Sequence, residues 1–129
     1  MAHEVYWMKP NRVLYANYKG YHDEETIRAC LDDMATELDK VDEPVFVLIN
    51  WLEVTGHDPA ALIKHQKHRA YGHPMAARAV LVGMGAQAQM ENQVSATRAR
   101  EIVHTVYFDT MEEALHYLEF VLADDPNPQ

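Results

Sequence analysis

The chain has 129 residues, 48% apolar and 24% charged, which is enough for one soluble domain with a real hydrophobic core. A formal net charge of −9 excludes general affinity for nucleic acid, whose phosphates require a positive surface. No apolar run reaches membrane-spanning length and MAHEVYWMKP lacks the apolar core of a secretory signal, so we expect neither a membrane span nor a nucleic-acid partner.

In chain order, EVYWM and RVLYANYKG are rich in β-branched and aromatic residues, and the turn signal KPN separates them; together they predict a β-hairpin. HDEET opens a helix, with Asp23 as N-cap and acidic residues in the first turn, where the helix dipole favours them. Ile27, Cys30, Leu31, Met34, Leu38 and Val41 recur at steps of three and four and form its buried stripe. Asp32, Asp33, Glu37 and Asp39 lie mostly off that stripe, toward water. The single cysteine, Cys30, forms no internal disulfide, which suits a reducing cytoplasm, our expected location. PVFVLINW is an unbroken apolar run and predicts a strand covered on both faces.

A second helix follows, opened by Asp58 as N-cap with Pro59 at the first helical position. ARAVLVGMG is a short strand ending in glycines, QAQMENQVSATRAR a weaker helix with Met90 and Val94 inward, and IVHTVYF a strand. DTMEEALHYLEFVL is a closing helix with Thr110 and Glu113 as a capping box and Met111, Ala114, Leu115, Leu118, Val121 and Leu122 facing the core. ADDPNPQ reads as a flexible end, so residues 1–123 make one domain and 124–129 a tail.

The order β-β-α-β-α-β-α-β-α predicts an α/β fold: a single-layer mixed sheet, mostly parallel, with an antiparallel N-terminal strand. Right-handed crossovers would put the helices on one face. The other face must then be wet or covered. Trp7, Tyr15 and Tyr18 are candidates for that surface, and a homodimer through the sheet is one way to cover it.

TGHDPAALIKHQKHRAYGHP, residues 55–74, concentrates cationic groups in an acidic chain, with no Asp or Glu between Pro59 and Met90. At about 100° per residue, Pro59, Leu62, Ile63, Gln66 and Ala70 fall on one side of the helix. Lys64, Lys67, His65, His68, Ala60 and Ala61 fall on the other. That face is either a solvated surface or a contact surface on which small residues admit a partner backbone and cations steer acidic groups. His65 and His68 share a side, but zinc needs three or four ligands. His57 lies about two turns earlier, His73 falls past the helix end, and the lysines repel a cation. We therefore expect no metal site and no cofactor.

The element order resembles the STAS domain, the fold of bacterial anti-sigma-factor antagonists and of the cytoplasmic tails of sulfate transporters. Three stretches carry the resemblance: PVFVLINWLEVTGHDPAAL, the strand–loop–helix ARAVLVGMGAQAQM, and the closing VYFDTMEEALHYL. It spans roughly Glu4 to Leu122. In antagonists of that family the helix after the third strand begins with Asp and a phosphorylatable Ser, and the partner kinase docks there. Here Asp58 and Leu62 fit the motif, but Pro59 and Ala60 replace the phosphoacceptor. The only serine, Ser95, lies in a different helix, and Thr55 is the nearest hydroxyl. The resemblance thus implies a protein-interaction or regulatory module that is not phospho-switched. Its partner would meet the loop from Glu53 to His57 and the second helix: Glu53, Thr55, His57, Asp58, Ala60, Ala61, Lys64, His65, Lys67 and His68. The alternative is a small-molecule or lipid-binding protein of the same fold, with Met8, Met75, Met84, Met90 and Met111 lining an adaptable cavity.

An enzyme is not expected. GMG at Gly83–Gly85 is too short for a phosphate loop, Ser95 has no elbow motif, and Glu24 and Glu25 are first-turn charges. Cys30 sits on the inward stripe as a structural thiol. His104 lies in the last strand, as either a polar residue at a ligand-binding or dimer surface or a satisfied histidine.

Overall fold

A computed structural model of the chain describes residues 2–58, 60, 64, 68–70, 73–83 and 104–123. The expected helix over QAQMENQVSATRAR, the tail from residue 124, Met84 and Met90 lie outside the described residues. The hairpin is β1 (Ala2–Lys9) and β2 (Val13–His22), followed by α1 (Glu24–Leu38), β3 (Val45–His57), β4 (Ala76–Val82), β5 (His104–Phe108) and α2 (Met111–Ala123). The five strands form one sheet in the order β1-β2-β3-β4-β5. β1 and β2 are antiparallel and every later pair is parallel. This is the mixed α/β sheet that the sequence predicts.

The helix starts follow from their caps. Asp23 accepts a hydrogen bond from the Thr26 N–H at 3.0 Å, and the Thr26 hydroxyl accepts from the Asp23 N–H at 2.9 Å, closing a reciprocal box. The Thr26 contacts hold the Asp23 carboxyl below its ordinary range. At α2 the Thr110 hydroxyl accepts from the Glu113 N–H at 3.1 Å. Val41, read as the end of the α1 stripe, lies past the helix, which stops at Leu38 with Asp39 as C-cap.

The placement of the helices departs from expectation. Leu14, Ala16 and Tyr18 of β2 pack with Cys30, Met34 and Leu38 of α1. Val13 and Tyr15, whose side chains point the opposite way, pack with Ala114 and Leu118 of α2. The two helices therefore cover opposite faces of the sheet, and the second face needs no partner to cover it beneath α2. Handedness governs a helix that links two parallel strands. α2 follows the last strand and is free to take the other side. Trp7, Tyr15 and Tyr18 correspondingly divide: Trp7 and Tyr18 lie on the α1 side, Tyr15 on the α2 side.

Between these layers β2 is buried continuously from Val13 to Tyr18. Phe46 and Leu48 of β3 meet α2, while Val45 and Val47 belong to the α1 side. Arg78 of β4 donates to the Tyr117 hydroxyl of α2, fixing the helix across the sheet. β4 is followed at once by Gly83, whose φ of +132° suits only glycine and where an added Cβ would meet the Trp51 Cβ at 3.3 Å. The glycine-ended strand of the sequence reading is therefore a backbone necessity at that position.

Candidate functional site

The candidate site begins on β3, not on a loop. Glu53 to His57, expected as the loop before the second helix, continue the strand. Their pairing comes from β2: Lys19 faces Glu53, Gly20 faces Val54, Tyr21 faces Gly56 and His22 faces His57. An irregularity after Asn17 and Asn50 makes room for this. There the Asn50 Oδ1 accepts from the Leu52 N–H at 2.8 Å, supplying the bond that the distorted ladder cannot. Asn50 Nδ2 donates to the Tyr15 hydroxyl at 3.0 Å, and Asn17 Nδ2 reaches Glu53 Oε2 at 3.4 Å. The bulge leaves Leu52 exposed, and Glu53 and Thr55 are exposed as well. Beside them the ring of Tyr21, 55% exposed, lies over Gly56.

Asp58 follows the strand directly. Its N–H donates to the His22 carbonyl at 3.0 Å and its Oδ1 accepts from the Ala60 N–H at 3.0 Å, as an N-cap does. Ala60 and Lys64 are helical and exposed. Ala61, His65 and Lys67 lie outside the described residues, as does the side chain of His57.

The described cationic groups of this stretch, Lys64, His68, Arg69 and His73, reach acidic groups of α1 and its C-cap. Lys64 Nζ lies 2.8 Å from Glu24 Oε2. His68 lies beyond the helix rather than on its outer face, and residues 69–70 form a turn. Its side chain is only 11% exposed, with Nε2 2.6 Å from Asp32 Oδ1. Arg69 grips Asp39 with both guanidinium nitrogens, NH1 to Oδ1 and NH2 to Oδ2, each at 3.0 Å. His73 Nε2 reaches the same carboxylate at 2.9 Å. The two histidines are wired alike. Each Nδ1 accepts a backbone N–H two residues on, from Ala70 and Met75 respectively, both at 3.0 Å. A neutral ring with Nδ1 accepting carries its proton on Nε2, which then donates to the aspartate.

Glu24, Asp32, Asp33 and Glu37 of α1 are therefore engaged, not merely solvated. His3 from β1 binds Asp33 at 2.7 Å, and the Trp7 indole N–H donates to Glu37 at 2.9 Å. Arg69, and then His73, hold the Asp39 carboxyl below its usual range; Lys40 and Trp7 do the same for Glu37. This explains the segregation of charge in the sequence. Lys64, His68, Arg69 and His73 on one side and the carboxylates of Glu24, Asp32 and Asp39 on the other are opposite halves of one seam, joining positions 30 to 40 residues apart. Among the described residues no three His, Cys, Asp or Glu side chains gather as a metal cage.

Asn17, Asn50, Tyr21 and Leu52 were not singled out in the sequence. Asn50 inside an apolar strand was the available signal, because a buried amide must find partners.

Among the described residues, with α1 and α2 on opposite faces of a mixed five-stranded sheet, the chain has a STAS-like fold. An uncharacterized protein of the DUF3478 family with a SpoIIAA-like fold, from Shewanella loihica PV-4, matches with a TM-score of 0.62 at 17% identity, over 91% of this chain and 92% of that one. The anti-sigma factor antagonist SpoIIAA in its unphosphorylated form matches with a TM-score of 0.58 at 12% identity, over 92% of this chain and 98% of its own. No protein-family model matches the chain, and no curated protein does. At these identities the structural likeness shows the fold alone, and function has to be argued from the site. Among the described residues no helix is long and apolar enough to cross a membrane.

Proposed function

We propose that the chain is a non-enzymatic protein-interaction or regulatory module, acting in the cytoplasm, whose partner meets the carboxyl end of β3 and the start of the helix after Asp58. One observation carries the reading: Leu52 and Tyr21 stand 49% and 55% exposed at the end of the sheet, beside exposed Glu53, Thr55 and Ala60. Large apolar side chains rimmed by polar ones are what a partner surface offers. The likeness to an anti-sigma factor antagonist agrees with a protein partner. Lys64 and His68, first assigned to attracting that partner, have a second role in binding α1, so apolar contact at Leu52 and Tyr21 dominates the proposed docking. With Pro59 and Ala60 at the motif positions, the module works without a phosphoserine switch.

The test compares immobilised wild-type protein with Leu52→Asp for what each retains from an extract of the source cells. A protein held by the wild type and lost, about tenfold or more, by the variant supports the reading. Equal retention by both, or no retained protein, counts against it.

A second reading, a small-molecule or lipid-binding protein, is favoured by a groove of about 670 Å³ between the hairpin turn and α2. Met8, Val13, Leu118 and Leu122 supply an apolar lining, with Lys9 and Glu119 among the polar groups. That volume suits a small organic molecule. Native mass spectrometry of protein purified from its own cells distinguishes this reading by a retained ligand mass.

A further inference from the structure

β1 is one of the two outer strands of the sheet, and among the described residues no strand lies beyond it. Its far edge carries the backbone N–H and C=O groups that β2 does not use. Such an edge is a template for another strand unless a proline, an inward charge or a mid-strand bulge blunts it. From Ala2 to Trp7 the ladder with β2 is regular, and this stretch contains no proline. The one irregularity falls between Trp7 and Lys9.

That irregularity changes which charges share a face. Opposed residues in an antiparallel pair point the same way. Val13 and Tyr15 point to the α2 side, so Tyr6, opposite Tyr15, and Lys9, opposite Val13, do too. Glu4, opposite Asn17, lies on that side as well. In an unbroken strand residues 4 and 9 would lie on opposite faces. The extra residue brings Glu4, Tyr6 and Lys9 into one row, with Val5 and Trp7 on the α1 side.

We infer that β1 is a self-association edge whose partner is β1 of a second copy of this chain, antiparallel about a two-fold axis at Tyr6. That axis sets Tyr6 against its own counterpart and Val5 against the other copy's Trp7. Each Glu4 faces the Met8–Lys9 end of the other strand on the same face, giving two symmetric ion pairs. The surface is available for this. Tyr6 is 49% exposed at the centre of the edge, with its ring 5.1 Å from Tyr15, which holds it in place. Glu4 is 52% exposed, with Lys19 Nζ 3.5 Å from its carboxylate. Two α1 carboxylates are already met by β1, Asp33 by His3 and Glu37 by Trp7, and Lys40 adds an ion pair to Glu37. Pairing would join two five-stranded sheets into one continuous sheet and is an isologous contact that closes at two copies.

Sedimentation velocity and equilibrium on the full chain test this, with four proteins: wild type, Glu4→Lys, Lys9→Glu, and the double charge exchange. All are surface changes, and a thermal melt of each confirms folding. The wild type is expected to dimerise. Each single variant places like charges opposite each other twice and is expected to weaken dimerisation by about tenfold or more. The double variant restores opposite charges with the same net charge and is expected to recover wild-type association. A strictly monomeric wild type, single variants that dimerise as the wild type does, or a double variant no better than the singles overturns the proposal.

Discussion

Replacing Leu48 with alanine is expected to cost about 3 kcal/mol of folding stability, and up to about 5 if the neighbours fail to close the space. Leu48 is 0% exposed. It lies in β3, the central strand of five, on the side where Tyr15, Val80, Ala114 and Leu118 meet. Truncation removes contacts to two neighbouring strands and to α2 at once. Arg78 and its Tyr117 bond hold α2 in position, so the helix is not free to settle into the gap. Urea unfolding followed by circular dichroism measures the loss. Leu115→Ala provides the comparison, because Leu115 is 42% exposed and its change is expected to cost less than about 1 kcal/mol. Equal costs for the two variants would show that the core between the sheet and α2 is not packed as described.

The second large effect concerns acid. His22 is 1% exposed, and neither ring nitrogen makes a well-formed hydrogen bond, although the Lys19 carbonyl lies near the ring. Burial therefore pushes its pKa below the ordinary histidine value; the Lys19 carbonyl opposes the shift without reversing it. The unfolded chain takes up the proton more readily than the folded one. This contribution is absent as a penalty above about pH 6.5, the unfolded value, and stability then falls as pH drops toward the lowered native value. One proton sets a ceiling of about 1.4 kcal/mol per pH unit on the slope. His22→Phe keeps an aromatic ring against Tyr18, whose centroid lies 4.8 Å away, and removes the titration. Its stability relative to wild type is expected to rise as pH is lowered from about 7.5 to about 5.5. The other histidines are common to both proteins and cancel in the difference. A difference that stays constant over this range would mean that His22 becomes charged without penalty.

Periodicity and caps made the hairpin, α1 and α2 legible, because those signals are local: the stripe from Ile27 to Leu38, Asp23 before Thr26, Thr110 before Glu113. What the sequence hid depends on distant partners. Glu53 and Thr55 look like loop residues, and only pairing with Lys19 to His22 extends β3 through them. The side of the sheet taken by α2 follows no crossover rule. The basic run invited a reading as an outward surface because its counter-charges lie on another helix. The position of Asp58 as an N-cap was readable from the motif; the exposure of Leu52 was not, since it arises from a bulge braced by Asn50.

Cys30 adds a practical consequence. It is the sole thiol of the chain, 0% exposed beneath β2, and burial raises its pKa to about 12. A sulfur held protonated and out of reach does not attack a disulfide reagent, whereas the same sulfur in an open chain does so readily. The molecule thus carries its own clock for opening: the rate at which a chromogenic thiol reagent is consumed in native buffer reports how often α1 lifts from the sheet. That rate is expected to fall well below that of the urea-unfolded chain, and to climb in Leu48→Ala if the two faces of the sheet come apart together.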